Sequence, residues 1–227
     1  MNKTILLFLF FTILILSDFS FAQETRVYGR VFMPAEQNRS RTFRGRIYRN
    51  RLVRQVLHKQ DENKRSAIED VIIAAYPLSY DTVAAPLAKA QILQKNAEFI
   101  PNVLPITPGT KVDFVNLDKF YHNVFSITPG QKFNIGRRPT GTVVPERITK
   151  TGFVKLFCDI HSQMNATIVT LKTPIFTQAN KNGVYLFKNL RPGTYRLEAI
   201  HPDFDKVSST IRVEKNKDTE ESFTLTR

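Results

Sequence analysis

The chain has 227 residues and carries 33 Lys and Arg against 20 Asp and Glu, a formal net charge of +13. That length suffices for one or two domains with cores of their own. One cysteine excludes an intramolecular disulfide framework, and no apolar run after the N-terminal leader is long enough for a membrane-spanning helix.

Residues 1–22 read as a secretory signal. Met1-Asn2-Lys3 gives a short positive start, Ile5 to Leu16 is apolar but too short for a comfortable span, and Ser20-Phe21-Ala22 supplies small residues before a cleavage point after Ala22. The rival is an uncleaved anchor. An exported protein, periplasmic or secreted, is therefore expected, and nucleic acid is not an expected partner. Cleavage removes one Lys and one Asp and leaves the charge at +13.

Residues 23–89 are mixed. Arg26 to Met33 alternates and is rich in β-formers, so a strand ending before Pro34 is expected. A basic insertion occupies about residues 35–68. Between Arg39 and Arg65 there are ten Lys or Arg residues and two acids, with Arg39, Arg41, Arg44, Arg46, Arg49, Arg51 and Arg54 closely spaced. Such a patch suits an anionic membrane surface, an acidic protein or a surface polymer; the rival is a solvated insertion. Phe43, Ile47, Leu52, Val53, Val56 and Leu57 fit the apolar face of a short helix imperfectly, and a basic β-hairpin is the alternative. Val71 to Tyr80 reads as a second strand.

Residues 90–173 are a series of short β-rich runs broken by turns. They are Gln91–Gln94, Phe99–Pro101, Lys111–Val115 after Pro108-Gly109, His122–Ile127 before Pro129-Gly130, Phe153–Phe157 after Thr151-Gly152, and Ala166–Leu171. Residues 174–227 continue the pattern, with Val184–Phe187, Thr194–Ile200, and a closing hairpin of Ile211–Val213 and Phe223–Leu225. Strands at this spacing predict an all-β sandwich or barrel.

Chemistry concentrates in Phe157-Cys158-Asp159-Ile160-His161-Ser162-Gln163-Met164. This C-x-x-H-x-x-M string sits on a loop between two expected strands. His122-Asn123-Val124 lies some forty residues upstream. Beyond the leader there are one Cys, four His and two Met, so the only Cys and half the Met fall within seven residues. A metal cycling between Cu(I) and Cu(II) suits two imidazoles, one thiolate and a weak axial thioether. Zinc is the leading alternative for Cys and His donors. Each residue also has a plain reading: Cys158 as a buried packing thiol, Met164 as core filler, His122 and His161 as ordinary histidines. His201 fits a turn, and the Asn165-Ala166-Thr167 sequon is discounted beside the loop.

Residues 91–171 resemble a cupredoxin, the blue-copper family. The resemblance rests on F-x-P at Phe99, P-G-T-K-V-D-F-V-N from Pro108 to Asn116, H-N-V at His122, Gly152, and C-D-I-H-S-Q-M from Cys158. The ligand loop is most similar to that of amicyanin. The resemblance implies a Greek-key β-sandwich at residues 90–173 that holds one mononuclear copper ion. His122, Cys158, His161 and Met164 would be the ligands, and Asn123 would hydrogen-bond across to steady the ligand loop. Gly183-Val184-Tyr185 and Leu190-Arg191-Pro192-Gly193-Thr194-Tyr195-Arg196-Leu197 resemble a carboxypeptidase-regulatory-like module, a small Ig- or transthyretin-like sandwich at 174–227. At that length it is short, and the strands near residues 27–33 and 71–80 would complete it. The whole chain is similar to exported proteins described as methylamine-utilisation-like. Single-electron transfer without catalysis is the implied function, with an acidic redox protein docking at an apolar patch of Pro129, Phe133 and Ile160. The alternatives are an envelope copper carrier or sensor, and a metal-free adhesion or scaffold protein.

Overall fold

The structure, a computed structural model, describes residues 24–34 and 66–227. The leader, the basic insertion up to residue 65 with its arginines, and the helix-or-hairpin expectation at 43–57 lie outside the described residues. All regular structure among the described residues is β apart from one 3₁₀ turn at Ala67–Asp70, and no helix is long and apolar enough to cross a membrane.

The strands are β1 (Arg26–Phe32), β2 (Ile72–Pro77), β3 (Ala90–Lys95), β4 (Glu98–Ile100), β5 (Val103–Ile106), β6 (Thr110–Asn116), β7 (Phe125–Ser126), β8 (Phe133–Asn134), β9 (Val143–Ile148), β10 (Gly152–Phe157), β11 (Asn165–Thr170), β12 (Phe176–Gln178), β13 (Val184–Lys188), β14 (Gly193–Ile200), β15 (Val207–Val213), β16 (Thr219–Glu220) and β17 (Phe223–Thr224). They form four sheets, which pack as two sandwiches.

One sandwich joins the two ends of the chain. β13, β1 and β16 form one sheet, with β17 also on β1, and β12, β2, β14 and β15 form the other. The alternation in β1 turns Val27 and Val31 inward, where they meet Ile73, Ala75, Tyr185, Tyr195, Leu197 and Phe223. β1 runs antiparallel to β13, with Arg26 opposite Lys188, and parallel to β16 and β17. Two glycines are dictated by close approach. A Cβ at Gly29 would lie 1.6 Å from the Glu221 carbonyl oxygen, and one at Gly183 (φ +76°) would lie 2.6 Å from the Val31 carbonyl oxygen.

The second sandwich lies between these halves in the chain. It packs β5-β11-β10-β7-β8 on β4-β3-β6-β9 around Ile92, Phe114, Val124, Ile148, Leu156, Met164 and Ile168. β3 with β6 and β5 with β11 are parallel pairs, the rest antiparallel. Ile72 and Ala74 explain the continuous apolar run in β2. They point away from the first core and, with Ile200, meet Val103, Val169 and Leu171 of the second sandwich. A strand buried on both faces shows no alternation. Asn102 Nδ2 donates to Asp70 Oδ2 at 2.8 Å across the same seam.

Several expectations are corrected. The run His122–Ile127 is no continuous strand: His122, Asn123 and Val124 are all buried, which a strand with one solvated face cannot arrange, and only Phe125–Ser126 is regular. The closing hairpin is absent. β15 pairs with β14, and β17 lies parallel to β1 because the chain crosses between sheets after Val213. The second strand is trimmed to Ile72–Pro77, since Leu78 is exposed and the chain turns away.

His201 closes β14. Its Nδ1 accepts from the Asp203 amide at 3.0 Å, and its ring packs on Phe204 with centroids 4.9 Å apart. Burial pushes this imidazole below its ordinary 6.5, against the opposing pull of Asp203 and Asp70. A depressed base is neutral in the folded state, so the unfolded chain binds more protons just below 6.5 and stability falls as pH drops through that range. Melting curves of metal-free protein at pH 7.5 and 5.5 will show a smaller acid-induced loss in His201→Gln than in the parent.

Candidate metal centre

Cys158 immediately follows β10, and Asn165 opens β11. Because Phe157 pairs with Asn165, residues 158–164 form a closed loop at the end of the sandwich. The Cys158 amide donates to the Met164 carbonyl at 3.3 Å, and the Met164 amide donates to the His161 carbonyl at 3.0 Å. The backbone thus draws Cys158, His161 and Met164 together. Cys158 and Met164 are buried in the sandwich core, and His161 is half-buried at the loop's apex.

His122 arrives from the connection between β6 and β7. An isolated bridge to Arg138 holds it, with amide-to-carbonyl bonds of 3.2 and 2.7 Å. Asn116, buried at the end of β6, organises the approach. Its Nδ2 donates to the Phe120 and Arg138 carbonyls at 2.9 and 3.0 Å, and its Oδ1 accepts from the Asp118 amide at 2.9 Å. The His122 ring is fully buried.

The donor atoms of His122, Cys158 and His161 all lie within 4.8 Å of one another. His122 Nδ1 is 3.2 Å from His161 Nδ1 and 3.9 Å from Cys158 Sγ. Bond lengths of about 2.0 Å to nitrogen and 2.3 Å to sulfur around a trigonal centre place donors roughly 3.5–3.8 Å apart. The donors therefore fit a single ion of that size. One soft thiolate, two imidazoles and an adjacent buried Met match the donor set that copper takes in both its oxidation states.

The other face of His122 is equally built. Nε2 lies 2.7 Å from Asp118 Oδ2. That carboxylate, itself buried, accepts the Asn96 amide on Oδ1 at 2.6 Å and the Ala97 amide on Oδ2 at 2.9 Å. Burial pushes the Asp118 carboxyl up, but the Ala97 amide, the His122 ring and the Asn96 amide outweigh it and hold the group below the usual carboxylate value. Phe120 covers the rim, its centroid 4.9 Å from the His122 ring and 5.3 Å from the His161 ring.

Sequence reasoning singled out the four central residues and missed Asp118 and Phe120. Asn123 is buried beside His122, and its Oδ1 has no hydrogen-bond partner, so the expected bond to the ligand loop is not formed by that oxygen. Of the apolar patch, Ile160 is exposed next to His161 and Pro129 is exposed, but Phe133 is half-buried and leans on Phe114 with centroids 5.9 Å apart. Phe120 and Tyr121 are the exposed aromatics at the centre, at 45% and 57% exposure.

No protein-family model and no curated protein matches the chain. Among solved structures, a purple cupredoxin from Nitrosopumilus maritimus shares 25% identity over 37% of this chain and 100% of its own, with a TM-score of 0.33. A Cu-containing nitrite reductase from Thermus scotoductus SA-01 shares 25% over 44% of this chain and 26% of its own, at 0.36. A point mutant of amicyanin in its reduced Cu(I) form shares 16% over 43% of this chain and 98% of its own, at 0.35. With TM-scores near one third, the character of the site rests on its own geometry.

Proposed function

We propose that the chain is a type 1 copper protein of the cupredoxin kind, exported, and used for single-electron transfer rather than catalysis. The observation that carries this reading is the convergence of His122 Nδ1, Cys158 Sγ and His161 Nδ1 within 4.8 Å, the latter two on a closed loop that ends at the buried Met164. Copper held there would supply a one-electron couple. His122, Cys158 and His161 would hold it, and Met164 would supply a weak fourth donor. The sandwich core excludes water from Cys158 and Met164, and the Arg138 bridge and the 158–164 hydrogen bonds fix the donors so that little moves when the charge changes.

His161 is the half-buried ring of the set and gives a partner its nearest approach. Phe120 lies against it, centroids 5.3 Å apart, and Ile160, its neighbour in the chain, and Tyr121, next to Phe120, are exposed. Of the other docking residues expected from the sequence, the exposed Pro129 would remain available to a partner, whereas Phe133 is half-buried. The basic insertion would steer an acidic partner or an anionic surface. Four protein donors leave no open position for a substrate, which favours a carrier over an enzyme. The sandwich built from both chain ends would be the regulatory-like scaffolding module.

The test is the visible spectrum of protein loaded with Cu(II). An intense thiolate-to-copper charge-transfer band is expected. Tight Cu(I) binding without a stable coloured cupric form would instead favour an envelope carrier, and full stability with no metal affinity a scaffold. Met164→Leu is expected to keep copper and raise the reduction potential in voltammetry, because loss of the thioether favours Cu(I).

A further inference from the structure

Asp118 stands outside the donor set but touches one of its members, His122. Asp118 sits four residues before His122 and touches three donors: the Asn96 amide, the Ala97 amide and the His122 ring. A carboxylate that receives three N–H groups is an acceptor only, so the ring must present its proton at Nε2. The lone pair then lies at Nδ1, the atom facing Cys158 and His161. The carboxylate is anchored elsewhere than on the ligand segment. Asn96 and Ala97 form the two-residue turn between β3 and β4, and both have positive φ, +57° and +56°.

We propose that Asp118 is a positioning residue: it fixes the Nε2–H tautomer of His122, aims Nδ1 at the metal, and places a buried negative charge behind the ring that favours Cu(II) over Cu(I). This rests on the copper reading above. The physical reason is that an anion behind an imidazole raises the basicity of the opposite nitrogen. The more highly charged metal state gains more from both the stronger donor and the nearby charge. Removing the charge therefore weakens Cu(II) binding more than Cu(I) binding. The β3–β4 hairpin, far from the ligand loop in the chain, becomes part of the device that sets the potential.

Asp118→Asn removes the charge and little volume. In either amide orientation, its NH₂ confronts an N–H that the carboxylate accepted, so the variant also loosens the turn at Asn96 and Ala97. Ala97→Gly, which relieves a positive φ, is added to restore fold stability without restoring charge. Two measurements are read. In metal-free, ¹⁵N-labelled parent protein, nitrogen shifts of His122 will report the Nε2–H tautomer. In copper-loaded protein, the Asp118→Asn/Ala97→Gly variant will lose roughly 10- to 100-fold in Cu(II) affinity. Cu(I) affinity will fall less, and each tenfold change in the ratio raises the one-electron potential by about 59 mV.

A His122 ring protonated at Nδ1 in metal-free parent overturns the proposal, whatever copper does. A double variant with the parent's stability and the parent's affinity ratio also overturns it, since Asp118 then serves only the turn. A parent that takes up no copper overturns the copper reading and this proposal together. A coloured parent with an unmoved variant overturns the role of Asp118 alone.

Discussion

Cys158→Ser will abolish the visible absorption of the copper-loaded protein. The band depends on a covalent, easily oxidised sulfur donor, and serine's hydroxyl is neither soft nor ionised at neutral pH. Of the three converging donors, Cys158 is the one with no chemical substitute nearby: among the described residues there is no other cysteine. The change is small in volume at a position that is 6% exposed, and its polar cost is about 1–2 kcal/mol. The fold should therefore survive, and a far-ultraviolet circular dichroism spectrum matching the parent separates loss of colour from loss of structure. A Cys158→Ser protein that binds Cu(II) as tightly as the parent would show that the thiol is a core-packing group.

Gly29→Ala will be the most damaging single methyl. The added carbon would sit 1.6 Å from the backbone oxygen of Glu221, and backbone cannot step aside as a flexible side chain does. That oxygen also accepts the Tyr185 hydroxyl at 2.6 Å, and the Glu221 amide donates to Tyr28 at 2.9 Å. The segment carrying β16 and β17 must lift from β1. Overpacking of about 1–3 kcal/mol adds to the loss of a part-buried hydrogen bond, about 1–2 kcal/mol. A total of about 2–5 kcal/mol corresponds to a fall in Tm on the order of 10 °C for a chain of this length. Gly141→Ala is the control. Its φ is +79° but open space surrounds it, so only the conformational penalty of about 1–2 kcal/mol applies. Equal melting temperatures for the two variants would refute the close approach at Gly29.

The all-β character and the loop from Cys158 to Met164 could be read from residue order because both are local. Alternating runs mark the strands, and scarce donor types crowd into one loop. What escaped reading depends on distant partners. Val143–Ile148 became a strand in spite of a proline and two charges, because β6 supplies its whole hydrogen-bonding edge from Thr110 to Val115. Val71 to Tyr80 reads as a strand, but only the second sandwich explains why both faces of β2, with Ile72 and Ala74 outward, are apolar. Asp118 carried a sequence signal, a carboxylate four residues before a histidine. Its meaning comes from a hairpin turn some twenty residues upstream that no local pattern ties to it. Phe120 carries no sequence signal for the site; only the fold sets it against both imidazoles.

The pairing of Arg26 with Lys188 has a consequence for biogenesis. As the chain is synthesised N-terminus first, β1 emerges early and finds no neighbour until β13 follows, after every strand of the sandwich that carries the His122–Cys158–His161 cluster. Contacts of such sequence separation form slowly. During that wait a strand with one apolar face, Val27 and Val31, and open edges stands ready to stick to other nascent chains. A folding helper that shields it, or rapid completion of the inner sandwich as a platform for β2, would decide the yield of intact protein.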